Sequence, residues 1–175
     1  MELAINAVGA VMVFISSTLV GYYLSLRNDF RATDLHELKR ALVILKSEIE
    51  FAVNVLPLAF ENIASKTQGD VSRFFKAVAV ELALNSGTVI AQIWQQKAEV
   101  ELRISNLLPE DIEQVVQFGK TLGYLDTSLQ LRGIDILIQY INKTITELEV
   151  ESTKNKRMLR SLGVIGGLVV VVVLF

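Results

Sequence analysis

Cysteine is absent from the 175-residue chain. That excludes disulfides, thiolate metal ligands and thiol nucleophiles. Histidine occurs once, as His36 between Leu35 and Glu37. A zinc site needs three or four converging ligands, so His36, on the polar side of its helix, is expected to be an inert surface group. No glycine-rich phosphate loop is present, and the chain is not expected to hydrolyse nucleotide. Neither sign of charge dominates: the net charge is -2, which argues against a nucleic-acid partner. Alternating strand patterns with hairpin turns are also missing. The acidic pairs Glu48/Glu50 and Glu99/Glu101, and the triplet Glu147, Glu149 and Glu151, are spaced by two. On a helix such side chains diverge. With no catalytic constellation and no cofactor site, a non-enzyme is expected.

What the chain has is two apolar ends. Leu3 to Leu26 carries no charge, and about 20 apolar residues suffice for a helix to cross a hydrocarbon core of about 30 Å. A cleaved signal peptide would need a basic start and a shorter apolar run. Met1 and Glu2 supply no basic side chain, and Tyr22 and Tyr23 sit where interfacial aromatics are found. Residues 1–26 are therefore expected to form an uncleaved transmembrane anchor. The last stretch, Leu162 to Phe175, is also uncharged. As a helix it would rise only about 21 Å, so whether it spans fully or stops part way is open, as is burial in a soluble core. Its Val169–Val173 run suits lipid, where backbone groups must bond internally. The expected organisation is an anchor at 1–26, a helical domain at 27–160 and a C-terminal membrane segment at 161–175.

Basic residues flank the middle on both sides. Arg27 and Arg31 follow the first apolar run; Lys154, Lys156, Arg157 and Arg160 precede the last. The positive-inside rule then puts the middle in the cytoplasm, and the same side chains suit contact with anionic lipid headgroups. The roughly 130 residues between the anchors are enough for one domain with its own core.

That middle reads as helices throughout. Leu35, Leu38, Leu42, Leu45, Ile49 and Ala52 alternate at spacings of three and four, the pattern of one buried helix face. Asp29 or Thr33 is the expected cap. Pro57 opens a second helix, and Asp70 caps a third with Val71, Phe74, Phe75, Val78 and Leu82. Thr88 opens a fourth, in which Trp94 is expected in the core with its indole N–H bonded. Pro109 starts a fifth, where Glu110, Asp111 and Glu113 favour the positive end of the helix dipole; Gly123 is a stop for it. A sixth runs from Asp126 or Thr127 through Leu129, Ile134, Leu137, Ile141, Ile145 and Leu148. No proline or glycine stop lies between Ile134 and Arg160, leaving it free to continue into the last apolar run. The fold class is all-α, an antiparallel cytoplasmic bundle between an N-terminal transmembrane helix and a short C-terminal membrane helix.

Gly163 and Gly167 form a G-x-x-x-G pair, and Ser17 and Gly21 repeat the spacing. Small residues four apart let membrane helices approach closely. Both pairs lie in the first turns from the cytoplasmic side, so their depths match in an antiparallel hairpin.

Three short motifs occur in a fixed order between the anchors. They are Glu48-Ile49-Glu50-Phe51 with Pro57-Leu58 and Ala64; Phe118-Gly119-Lys120-Thr121-Leu122-Gly123 with Asp126 and Gln130; and Lys156 to Gly163. In these, and over nearly its full length, the chain resembles the stage III sporulation protein AB family. The resemblance implies a component of the transport apparatus between mother cell and forespore, needed for endospore formation. It also implies similarity to the inner-membrane platform proteins of type II secretion and type IV pilus systems, which contact a hexameric motor ATPase. By that analogy the domain faces the mother-cell cytoplasm and engages a motor ATPase and other sporulation-channel subunits. The expected contact surface is the connection around Pro109–Glu113, with Glu110, Asp111 and Glu113, because loops on rigid scaffolds carry function and exposed acids suit a basic partner. A platform protein of a general secretion or pilus system is the alternative, although such proteins carry two homologous helical domains and this chain has no internal repeat. A membrane enzyme or signalling subunit is disfavoured, and a homo-oligomer stays open.

Overall fold

The computed structural model describes the backbone of residues 2–51, 56–84, 89–123 and 126–174; most side chains of residues 1–26 and all of those of 155–175 lie outside the described residues. Among the described residues the chain forms six α-helices and no strand. They are α1 (Glu2–Phe51), α2 (Leu56–Lys66), α3 (Gly69–Leu84), α4 (Ile90–Glu101), α5 (Pro109–Gly119) and α6 (Thr127–Leu174), with a 3-10 turn at Leu102–Ile104. The all-α class read from the periodicity is the class observed. Among the described residues no helix is long and apolar enough to cross a membrane.

Helix boundaries follow local chemistry, with corrections. No helix starts at Asp29 or Thr33; α1 runs through both. Neither proline nor glycine occurs between Gly21 and Pro57, so nothing removes a backbone donor or invites a left-handed residue. Gly69, at φ +63°, enters α3 in the left-handed region. Thr88 lies outside the described residues, and Val89 precedes α4 with no side-chain cap. α5 ends at Gly119 rather than Gly123; Gly123, at φ +86°, closes the turn that follows. Asp126 precedes α6, and its Oδ1 accepts the Ser128 N–H at 2.8 Å. Hydrogen bonding from the Ser128 side chain, and then from its N–H, holds the Asp126 carboxyl below its ordinary range.

The chain divides into two compact units, Met1–Asp29 with Thr146–Phe175, and Phe30–Ile145. In the first, Asn28 Nδ2 donates to Glu151 Oε2 at 3.4 Å. The second contains the aromatic core. Trp94 is fully buried, and its ring centroid lies 4.7 Å from Phe74, 5.5 Å from Phe118, 5.6 Å from Phe75 and 5.8 Å from Phe60. Its Nε1 donates to the Val115 carbonyl at 2.8 Å, as expected of a core tryptophan. The predicted stripe of α1 is buried at Leu35, Leu38, Leu42 and Leu45, and that of α6 at Ile134, Leu137, Ile141 and Ile145. Leu129 departs from its predicted core position: it is half-exposed in the first turn of α6.

The Phe118–Gly123 motif is explained by packing. A Cβ at Gly119 would overlap the Trp94 ring, and one at Gly123 would sit 2.7 Å from Ile90 Cγ2. A Cβ at Gly133 of α6 would come within 2.7 Å of Thr121 Oγ1. Thr121 in turn donates to the Phe118 carbonyl at 2.7 Å. The motif packs the end of α5 against α4 and brings the turn after it against α6.

Candidate functional site

The start of α5, expected to offer three acids to a partner, is built differently at each of them. Glu110 and Glu113 are exposed. Asp111 is not; only 1% of it is accessible. As the third residue of α5, its carboxylate reaches back to accept the Leu108 N–H on Oδ2 at 2.8 Å. This satisfies one of the orphan donors of a helix start.

Both oxygens of Asp111 take further partners. Arg31 Nε donates to Oδ2 and Nη2 to Oδ1, each at 2.8 Å. Tyr140 Oη donates to Oδ1 at 2.8 Å. One carboxylate therefore ties α5 to α1 and α6. The arginine makes a two-pronged, charge-assisted contact, the stronger kind of hydrogen bond. Hydrogen bonding to Asp111 raises the pKa of Arg31, against the opposing effect of burial. Burial, and then the bond to Asp111, pushes the Tyr140 phenol above its ordinary range.

The connection leading into α5 is held as well. Asp34 Oδ2 accepts the Asn106 N–H at 2.8 Å and its Nδ2 at 2.9 Å. Leu107 is buried beneath it. Glu110 and Glu113 thus stand on a helix start whose backbone is held on two sides.

The remaining predicted residues are dispersed. Arg27 and Lys154 are exposed. Arg31 belongs to the Phe30–Ile145 unit, and its guanidinium is engaged with Asp111 rather than left open at the chain junction. The side chains of Ser17, Gly21, Gly163, Gly167, Lys156, Arg157 and Arg160 lie outside the described residues. His36 is exposed. Among the described residues no group of three or more His, Cys, Asp or Glu side chains could hold a metal ion.

The role of Arg31 had a signal in the sequence. It stands four residues before Leu35, in phase with Leu38, Leu42 and Leu45. A basic residue on a buried stripe needs an acid opposite it, and nothing in local spacing says which acid.

The family model for stage III sporulation protein AB matches residues 6–175. Stage III sporulation protein AB of Bacillus subtilis (strain 168) is 26% identical over 170 residues, covering 97% of this chain and 99% of the relative. A solved structure of stage III sporulation protein AB superposes with a TM-score of 0.66 at 24% identity. It covers 71% of this chain and 97% of that one, and supports the likeness at the level of the fold.

Proposed function

The chain belongs to the stage III sporulation protein AB family, and on that premise we propose that it is a membrane platform of the mother cell–forespore transport complex. In this reading the apolar runs at 1–26 and 161–175 anchor it in the mother-cell membrane. The basic residues beside them hold the helical domain in the cytoplasm, as an antiparallel bundle that docks a motor ATPase and hydrolyses nothing itself. Family membership favours the sporulation apparatus over a general secretion or pilus system.

The observation that carries the docking surface is the start of α5. Glu110 and Glu113 are exposed, while the backbone beneath them is braced by Asp111 and Asp34. Acidic side chains on a rigid rim raise the association rate with a basic partner and fix its register. Asp111 is excluded from the contact by its burial.

The test is a binding titration of the full chain, in detergent micelles, against the ATPase encoded beside it. Reversing both exposed charges, Glu110→Lys with Glu113→Lys, is expected to weaken binding roughly tenfold and to make it less sensitive to salt. Circular dichroism is expected to stay unchanged. Unaltered affinity rejects this surface, and no binding by the unsubstituted chain rejects the platform role.

A further inference from the structure

The helical hairpin of α2 and α3 has two faces. One packs inward through Phe60, Ile63, Phe74, Phe75 and Val78, all fully buried. The other opens as a groove of about 760 Å³ whose lining includes Leu58, Glu61, Ser65, Lys76, Ala79 and Val80. Leu58 is 50% exposed and Val80 51%. Half-exposed apolar side chains with charges beside them have the layout of a small interface, apolar at its centre and polar at its rim.

The rim carries one charge of each sign. Glu61, on α2, and Lys76, on α3, are both exposed, and among the described residues they form no ion pair with each other or elsewhere. Ser72 Oγ donates to the Ala64 carbonyl at 2.7 Å, and the rings of Phe60 and Phe75 lie 5.9 Å apart. These pairings run in opposite directions along the two helices, so Glu61 and Lys76 stand level across the groove.

A surface with an acid on one wall and a base at the same level on the other is complementary to itself. Two copies can meet face to face about a twofold axis running along the groove or across it. The axis across the groove would set α2 on α2 and bring Glu61 against Glu61. The axis along the groove sets the α2 of each copy on the α3 of the other, so Glu61 meets Lys76 twice. Like charges juxtaposed in an interface are strongly unfavourable, so the charge pattern selects the second arrangement. It is an isologous contact, the commonest kind in soluble homo-oligomers.

We propose that the α2–α3 face is a twofold interface between two copies of this chain, with Leu58, Ala79 and Val80 at its centre and reciprocal Glu61–Lys76 pairs at its rim. The interface does not depend on the ATPase reading: a chain that is monomeric yet binds the ATPase would overturn the interface and leave that reading standing.

The test is sedimentation of the full chain in detergent micelles, with charge reversals that separate this face from any pairing of the anchors. Glu61→Lys alone and Lys76→Glu alone are each expected to raise the dissociation constant of the dimer roughly tenfold or more. The chain carrying both reversals restores the pairing and is expected to dimerise like the original. Because the chain has no cysteine, a second measurement uses single introduced thiols. Copies with Glu61→Cys mixed with copies with Lys76→Cys are expected to be joined by a short bis-maleimide, and Glu61→Cys copies alone are not. A chain that stays monomeric, a dimer indifferent to the single reversals, or double reversal without rescue overturns the proposal.

Discussion

Removing the Asp111 carboxylate is the sharpest test of how the start of α5 is held. Asp111→Ala deletes four hydrogen bonds: two from Arg31, one from Tyr140 and one from the Leu108 N–H. The larger effect is what remains. Arg31 keeps its charge in a site where its side chain is only 15% accessible. Removing one member of a buried ion pair costs about 3–5 kcal/mol. The partial access of Arg31 to water places this case near the lower end, about 3 kcal/mol. A domain holds about 5–15 kcal/mol in all, so the change consumes a large share, and a melting temperature about 10 °C lower is expected. The assay is urea and thermal unfolding of the full chain in micelles, followed by the fluorescence of Trp94, the single tryptophan. It sits 5.5 Å from Phe118 of the same α5 and so reports on that helix. Tyr140→Phe removes one bond and is expected to cost about 1 kcal/mol. Glu110→Ala, on the exposed side, is expected to cost under about 0.5 kcal/mol. Replacing both partners, Arg31→Met with Asp111→Leu, leaves no stranded charge and is expected to recover part of the loss, since the Tyr140 hydroxyl and the Leu108 N–H still lack their acceptor. If Asp111→Ala and Glu110→Ala cost the same, the reasoning fails.

Three further outcomes follow from the packing. Gly119→Ala drives a methyl group into the Trp94 ring; overpacking of this kind costs about 1–3 kcal/mol and is expected to shift the Trp94 emission, whereas Gly9→Ala, where a Cβ meets nothing, leaves it unmoved. Leu42→Ala opens a cavity at a fully buried position and is expected to cost about 2–5 kcal/mol in urea unfolding, with Lys39→Ala costing little. Tyr140 holds its proton more tightly folded than unfolded, chiefly through burial. Its contribution is therefore complete below the ordinary tyrosine pKa and is lost as pH rises through the raised folded value. Stability measured above about pH 10 is expected to fall, and Tyr140→Phe is expected to flatten that fall.

The sequence by itself determined the helical class, most helix positions and the faces they bury. Spacings of three and four in Leu35–Leu45 and Ile134–Ile145 report on a single helix, and each face found its place in the core. Pro109 announced its helix start because proline acts on its own backbone. Trp94 was legible for the same kind of reason, since a large amphipathic ring in phase with Ile90 and Ile93 has few places to go but a core edge. The family motif was legible as a pattern, but its meaning was not. That Gly119 exists to admit the Trp94 ring depends on two residues 25 apart in the chain. The same holds for Asp111. Local spacing places it in the first turn of α5, where an acid is favoured whether or not a partner reads it. Only the packing of α1 and α6 on that turn decides that this acid turns inward to Arg31 and Tyr140 while Glu110 and Glu113 face out. Periodicity describes which face of a helix is buried; which charge on another helix meets that face is a property of the assembled packing, because an ion pair forms between groups that the chain brings together only after its helices dock.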